Sequence, residues 1–191
     1  MTGLGILIAV VVLIILSGLK IVQPRTAKAV LTLGKPTRVI REGLNVIIPL
    51  IQTTRRQTLA MTNLDVGVDG ITQDNVKTRI DLNVIFRVKD NDKAIIDSLF
   101  IINDPIKAIR AMVEEQLRAK VYDFRHDDIF GKRNEIGDEV KETLSQKLEE
   151  FGMELDSVQV KDIQLDPSVL DAMNSVVASS KNKLAAINDA E

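Results

Sequence analysis

The chain begins with an apolar run and then changes to alternating and helically spaced hydrophobic positions. Residues 2–19 carry no charge, and these eighteen residues would form a helix of about 27 Å. This length is close to the ~30 Å hydrocarbon core of a bilayer. The run therefore predicts a transmembrane anchor over residues 1–22, with lipid contacts from Leu4, Ile8, Val12, Ile15, Leu19 and the stem of Lys20.

A cleaved signal or a buried core helix would fit this run less well than an anchor. A secretory signal has a basic start and a small-residue cleavage site, but no Lys or Arg precedes the run, and its exit at residues 17–20 only weakly resembles such a site. A buried core helix would be apolar on one stripe, whereas this run is apolar on every side. A retained anchor is the prediction.

Residues 23–90 have the pattern of a β-rich part. Ala27–Leu33 is strand-like, and turn residues follow at positions 34–36 and 42–43. The clearest alternation covers Leu64, Val66 and Val68 and then nearly every second position of Val76–Val88. Period two indicates strands with one buried face, and the turn residues between them predict a long antiparallel hairpin.

The run Val46–Ile51 has two interpretations. Pro49 cannot donate to a central ladder, so the run could be an edge strand and loop that pack in the core. It could also insert near lipid headgroups, since Arg38, Arg41, Arg55 and Arg56 flank it. The second interpretation predicts lipid contacts from Ile47, Ile48 and Leu50.

Helical spacing dominates residues 91–165. Asp104 and Pro105 begin a helix that runs to about Val121. A second helix is predicted from Asp127 to Phe151, ended by Gly152, with apolar positions at Ile136, Val140, Leu144 and Leu148. A strand is predicted over residues 155–163.

A last helix is predicted over residues 166–191, beginning at Asp166-Pro167. The pattern shows no stop signal by Glu191. We therefore expect the helix to continue in the native protein.

Charge divides the chain into a basic block and an acidic remainder. Residues 20–56 contain eight Lys or Arg and one acid, a net charge of +7, and residues 57–191 have a net charge of −9. Cations near an anionic leaflet are favourable by about 1 kcal/mol each. The positive-inside rule places the main domain in the cytoplasm and the N-terminus outside. The opposite orientation is the alternative.

The composition excludes several classes of function. The chain has no cysteine, no tryptophan and one tyrosine, so disulfides, thiolate metal sites and base-stacking surfaces for nucleic acid are not expected. No catalytic or phosphate-binding motif occurs. His126 stands beside Asp127 and Asp128, but consecutive helical residues diverge by about 100° and do not converge on a metal. We predict no catalytic residue, no metal and no cofactor.

Five features together resemble the SPFH or band-7 family of stomatin, prohibitin and flotillin, with the closest pattern in bacterial stomatin-like proteins. They are the anchor followed by Ile21–Pro24, the Leu33–Lys35 turn, the run Glu42–Ile51, the segment Gln73–Val76, and the stretch from Gly152 to Met173. The chain departs from the family pattern at Gln23–Thr26, Glu42 and Leu165–Pro167.

The resemblance implies an α+β fold in which a transmembrane helix precedes an SPFH-like domain with an antiparallel sheet and packed helices. Residues 23–90 would be its membrane-proximal part, residues 91–165 its α/β part, and residues 166–191 the start of a long helix. It also implies large homo- or hetero-oligomeric rings or cages. We assign the oligomer contacts to Ile136, Val140, Leu144, Val169, Met173 and Val176.

The predicted function is a membrane-anchored scaffold that encloses a membrane microdomain and is not an enzyme. Two alternatives stay open: a regulatory subunit that binds a membrane protease or channel, and an anchored enzyme with an unrecognised site.

Overall fold

Eight strands and five helices follow one another in the part of the chain that the computed structural model describes, which is residues 17–188 together with Gly3, Gly5 and Leu13. The strands are β1 (Leu19–Val22), β2 (Thr26–Thr32), β3 (Lys35–Ile40), β4 (Gly43–Val46), β5 (Gln52–Thr58), β6 (Thr62–Ile71), β7 (Lys77–Val88) and β8 (Met153–Leu165). The helices are α1 (Asp92–Phe100), α2 (Pro105–Val121), α3 (His126–Ile129), α4 (Arg133–Glu150) and α5 (Pro167–Asn188). The predicted α+β class with antiparallel sheets is confirmed.

The chain divides into two compact units. The first comprises residues 1–63, 85–109 and 145–157, and the second comprises residues 64–84, 110–144 and 158–191. The strands form a β1–β4 ribbon, a sheet in the order β3–β2–β5, and a sheet in the order β6–β7–β8.

The first unit is layered around the β3–β2–β5 sheet. Strand β2 pairs antiparallel with β3 on one side and with β5 on the other. Val30 and Ile40 on one face of this sheet pack with Val22 and Ile47, which come from the ribbon side. Helix α1 packs on the same sheet, and Phe100 at its end stacks on Arg55 of the opposite face.

Helix α1 is absent from the sequence-based prediction. Asn91 caps it by accepting a hydrogen bond from the Ala94 backbone N–H at 2.7 Å. Arg41 holds its first turn through ion pairs with Asp92 at 2.7 Å and Asp90 at 3.1 Å. These hydrogen bonds raise the pKa of the Arg41 guanidinium, with Asp92 as the larger cause.

The second unit contains the predicted hairpin. Strands β6 and β7 are joined by five residues, and so short a connection requires antiparallel pairing. Their inward positions are buried with those of α2 and α4, at Leu64, Val66, Val68, Ile80, Leu82, Val84, Val113, Leu117, Ile136, Val140 and Leu144.

The predicted helix from Asp127 to Phe151 is corrected, because the structure has two helices there, α3 and α4, with a break at residues 130–132. Gly131 has no side chain to pack and lowers helix stability at this break. The predicted end at Gly152 is confirmed: this glycine has φ +71°, and a Cβ there would collide with the Ala94 carbonyl oxygen.

The anchor prediction falls mostly outside the described residues, since Leu4, Ile8, Val12 and Ile15 all lie there. Among the described residues, no helix has both the length and the apolar character needed to cross a bilayer. The predicted boundary at Val22 is corrected, because Leu19–Val22 is strand β1 and pairs with β4. Because the backbone of Leu19–Val22 pairs with that of Gly43–Val46, Leu19–Val22 cannot also be helical.

Candidate membrane-facing surface

The outer face of the β1–β4 ribbon is apolar and exposed. Leu19 lies opposite Val46, and Ile21 lies opposite Leu44. Directly opposed residues share one face, so these four side chains form a continuous row. All four are exposed, and Ile21 retains 77% of its accessible surface.

The ribbon is joined directly to the end of the N-terminal segment. The Ile47 backbone N–H donates a hydrogen bond to the Gly18 carbonyl oxygen at 2.9 Å. Residues at the start of β1 and just after β4 are thereby held together. Any anchor that precedes Leu19 therefore enters the unit beside this apolar row.

The turn that follows the ribbon presents a second group of apolar side chains. The Gln52 side-chain oxygen accepts from the Ile48 backbone N–H at 2.9 Å, and the Gln52 N–H donates to the Ile48 carbonyl oxygen at 2.8 Å. The Leu33 N–H donates to the Ile51 carbonyl oxygen at 3.0 Å. This bracing holds the turn in a form that leaves Leu33, Ile48, Leu50 and Ile51 exposed, Leu50 at 81%.

We call these eight residues the apolar patch: Leu19, Ile21, Leu33, Leu44, Val46, Ile48, Leu50 and Ile51. Exposed apolar residues are common singly, but a contiguous group rimmed by polar residues is typical of a contact surface. Full burial of one such side chain is worth about 1.5–3 kcal/mol. A partner that buries the patch therefore gains several kcal/mol.

Two cations are held against the backbone of the patch. Arg38 donates to the Val46 carbonyl oxygen at 2.7 Å, and Lys28 donates to the Ile21 carbonyl oxygen at 3.4 Å. Of the eight cations in residues 20–56, Arg41 is the one that forms an ion pair with a carboxylate of the described residues. An apolar surface with unpaired cations at its border fits the headgroup region of an anionic leaflet.

The structure divides the predicted lipid contacts among the described residues into two groups. Leu19, Ile48 and Leu50 belong to the apolar patch, whereas the half-buried Lys20 lies on the other face of the ribbon. Ile47 is corrected as a lipid contact, because it is only 5% exposed and lies in the core with Val22, Val30 and Ile40. The strand alternation sends Ile47 inward and its neighbours outward, so within residues 46–51 lipid contact stays a prediction for Ile48 and Leu50 alone.

Sequence reasoning misses three apolar residues of the patch, namely Ile21, Leu33 and Leu44. Val46 and Ile51 lie in the predicted run Val46–Ile51 but are not among its predicted lipid contacts. Alternation is visible at Leu44, Val46 and Ile48, but the hydrophobic pattern assigns the partner strand to the anchor. The register of Ile21 against Leu44 cannot be recognised without that strand.

Three of the predicted oligomer contacts are corrected. Ile136, Val140 and Leu144 have no exposed surface, because they fill the core of the second unit. Their spacing of four residues identifies one face of α4, but this face packs inside its own chain. Val169 is half-buried and Val176 is exposed on α5, while the Met173 side chain lies outside the described part.

The histidine forms a local contact with the β6–β7 turn. His126 Nδ1 contacts Asp74 Oδ2, and the His126 backbone N–H donates to Asp74 Oδ1 at 3.2 Å. Thr72 donates to the same carboxylate at 2.6 Å. The hydrogen bond from Thr72, and then that from His126, holds the pKa of Asp74 well below its usual value.

The described residues contain no cluster of three or more His, Cys, Asp or Glu side chains arranged to hold a metal ion. The contact between His126 and Asp74 joins two parts of the second unit, because Gln73 also donates to the Phe124 carbonyl oxygen at 2.9 Å. We therefore assign His126 a structural role, in which it joins the start of α3 to the β6–β7 turn.

Comparison with known proteins identifies relatives over nearly the whole chain. The sequence model of the SPFH domain / Band 7 family matches residues 20–191. An uncharacterized protein of Methanocaldococcus jannaschii is 27% identical over 93% of this chain and 88% of its own length. A stomatin homolog of Pyrococcus horikoshii is 25% identical over 98% of this chain and 69% of its own length.

Some relatives are considerably longer than this chain. Mitochondrial stomatin-like protein 2 of Rattus norvegicus is 26% identical over 89% of this chain, but the match covers 48% of the rat protein. The chain therefore spans about half the length of that relative.

Proposed function

The chain belongs to the SPFH / band 7 family, and from this premise we propose that it is a membrane-anchored scaffold whose first unit rests on the leaflet. The observation that carries this proposal is the apolar patch beside the end of the N-terminal segment. A single anchor tethers the unit, and the patch then binds the same membrane at high effective concentration. The main domain lies on the cytoplasmic side in this proposal.

Assembly is the second part of the proposal. Helix α5 leaves Leu170, Val176 and Val177 exposed, Val176 at 68%. An exposed apolar stripe on a helix is stabilised when a second helix covers it. We assign α5 as the contact between copies or related subunits, and rings that close by rotation would enclose an area of membrane.

The assembly is tested by extracting the protein in mild detergent and imaging the particles by electron microscopy. The scaffold predicts particles of many subunits, and a 21.2 kDa monomer would contradict it. Val176→Asp should reduce the particle size because a carboxylate then enters the helix contact. Ala178→Asp is the matched control, since two residues along a helix turn the side chain by about 200°. Equal loss in both variants would argue against a contact through the apolar stripe.

The leaflet contact is tested with vesicles that contain a phospholipid bearing a photoactivatable group in its acyl chain. Illumination of the reconstituted protein should crosslink lipid to peptides that contain residues 44–51, because the patch lies among the acyl chains. Crosslinks confined to residues 1–18 would contradict the contact. Proteins that copurify with the particles would distinguish a scaffold from a subunit that regulates one membrane protease or channel.

A further inference from the structure

Two cations of the first unit lie directly opposite each other on neighbouring strands. Lys28 of β2 is in register with Arg56 of β5. Opposed residues on antiparallel strands have Cβ atoms about 4.5–5.5 Å apart, and like charges in this position destabilise a sheet. Nothing within the strand pair itself therefore favours placing these two cations opposite each other.

Neither cation forms an ion pair with any carboxylate among the described residues. Lys28 Nζ donates to the Ile21 carbonyl oxygen at 3.4 Å, and Arg56 Nη2 donates to the Gln23 side-chain oxygen at 3.0 Å. An ammonium has three donors and a guanidinium has five. These bonds orient the two side chains without neutralising their charge.

The same two cations line a small cavity of about 160 Å³. Its other lining residues are Ile21, Gln23 and Thr26. Ile21 belongs to the apolar patch, so the cavity borders the surface assigned above to the leaflet. The lining thus combines two positive charges, two polar side chains and one apolar residue at the edge of that surface.

We propose that Lys28 and Arg56 together bind a phosphate group. A phosphate carries negative charge that neutralises the two opposed cations, and its oxygens accept hydrogen bonds from ammonium and guanidinium donors. The phosphate can come from the headgroup of an anionic phospholipid or from inorganic phosphate in solution. The lipid source rests on the proposed leaflet contact, whereas binding of inorganic phosphate does not depend on it.

The site is tested by the thermal unfolding of the full chain in neutral detergent, followed by circular dichroism. One titration uses sodium phosphate against sodium chloride at equal ionic strength. The other uses soluble dihexanoylphosphatidylglycerol against dihexanoylphosphatidylcholine. A ligand that binds the folded state raises the unfolding midpoint in a saturable way, so sodium phosphate or the anionic phosphatidylglycerol should do this. Sodium chloride should not, and neither should phosphatidylcholine, whose phosphate is balanced by its own choline cation.

Single substitutions locate the site. Lys28→Gln and Arg56→Gln should each weaken the apparent affinity about fivefold or more, as expected for the loss of one cation beside an anion. Arg55→Gln is the matched control, because Arg55 has the same charge on the opposite face of the same strand, where it lies over Phe100. It should leave the affinity unchanged.

Arg56→Glu provides an independent measurement. It places opposite charges across the strand pair, so the unfolding midpoint without phosphate should rise and the response to phosphate should disappear. A lower midpoint with an unchanged spectrum would contradict the like-charge repulsion on which the proposal depends.

Three results would overturn the phosphate site. The first is the absence of a saturable shift with either phosphate compound. The second is an equal loss of affinity in Arg55→Gln, which would indicate diffuse attraction to the basic block. The third is full retention of affinity in both Lys28→Gln and Arg56→Gln. Since the inorganic phosphate titration contains no lipid surface, failure of the leaflet contact alone would leave its result intact.

Discussion

The strands of residues 19–58 and the outer face of the second unit are both exposed β structure, but they differ in whether their cations form ion pairs with carboxylates. In the first region, the described cations except Arg41 form no ion pair with a described carboxylate, and apolar side chains face outward. In the second, Arg79 pairs with Asp69 and Asp81, and Lys161 pairs with Asp65.

The second region has the charge pattern of a face that is stable in water. Asn83 donates to Asp65 at 2.7 Å, and this hydrogen bond, together with that from Lys161, lowers the pKa of the Asp65 carboxyl. The apolar positions of β6 and β7 point inward, except for the exposed Ile71 and the half-buried Ile85. Within the described part of the chain, most cations of the first region have no carboxylate partner and its apolar patch is exposed, which supports the proposed contact with the leaflet.

The largest expected effect on the free energy of unfolding concerns two adjacent residues of the first region, of which Ile47 is buried and Ile48 is exposed. Ile47→Asp should lower the free energy of unfolding by about 3–5 kcal/mol, because a carboxylate is then buried between the ribbon and the sheet. Ile48→Asp should change it by less than about 0.5 kcal/mol, because Ile48 is 51% exposed. Denaturant unfolding in mild detergent measures both, and equal losses would contradict the alternation described above.

A smaller effect is expected in the second unit, where Asp74 accepts hydrogen bonds from Thr72 and His126. Asp74→Ala should cost about 1–3 kcal/mol, because two partly buried donors lose their acceptor. The pKa of this carboxyl is lower in the folded than in the unfolded chain. Its contribution is therefore fully present above about pH 4 and is lost as the pH falls further.

The pH dependence is measured by comparing unfolding of the parent chain and Asp74→Ala between pH 6 and pH 3. The difference between the two should narrow as the acid concentration rises. A difference that is constant over this range would show that the carboxylate charge is not what stabilises the turn.

The smallest expected effect is a difference in unfolding midpoint between removing a cation that forms an ion pair and removing one that does not. Lys120 pairs with Glu139 at 3.1 Å, and the hydrogen bond to Glu139 raises the pKa of the Lys120 ammonium. Lys120→Gln should lower the unfolding midpoint by about 2 °C or less, and high salt should remove the difference. Lys35→Gln, in the basic block, should leave the midpoint unchanged or raise it. The opposite order in thermal unfolding would contradict the comparison between the two regions.

Periodicity predicts the long elements well for a physical reason. The β6–β7 hairpin, α2 and the glycine end of α4 follow from local alternation, helix caps and a left-handed backbone position. Helix α1 escapes prediction because its nine residues are fewer than the window of about 11–18 residues over which helical periodicity is recognised. The sequence pattern merges the short α3 with α4 because helical spacing continues across Gly131.

The candidate membrane-facing surface can be predicted only in part because it depends on pairing between distant segments. The basic block and the run Val46–Ile51 are visible in the sequence. The apolar patch requires the register of β1 with β4, and the opposition of Lys28 and Arg56 requires the register of β2 with β5. For the same reason, the pattern of Ile136, Val140 and Leu144 cannot tell a core face from an oligomer contact.

The most direct test of the leaflet contact uses the absence of cysteine from the chain. Leu50→Cys and Lys93→Cys each introduce one thiol, the first in the apolar patch and the second on the exposed side of α1. Each full-length variant is labelled with an environment-sensitive dye and reconstituted into anionic vesicles. We predict a blue-shifted emission at position 50 that is quenched by spin labels in the acyl chains, and an aqueous emission at position 93. An aqueous, unquenched emission at position 50 would contradict the claim that the patch rests in the membrane.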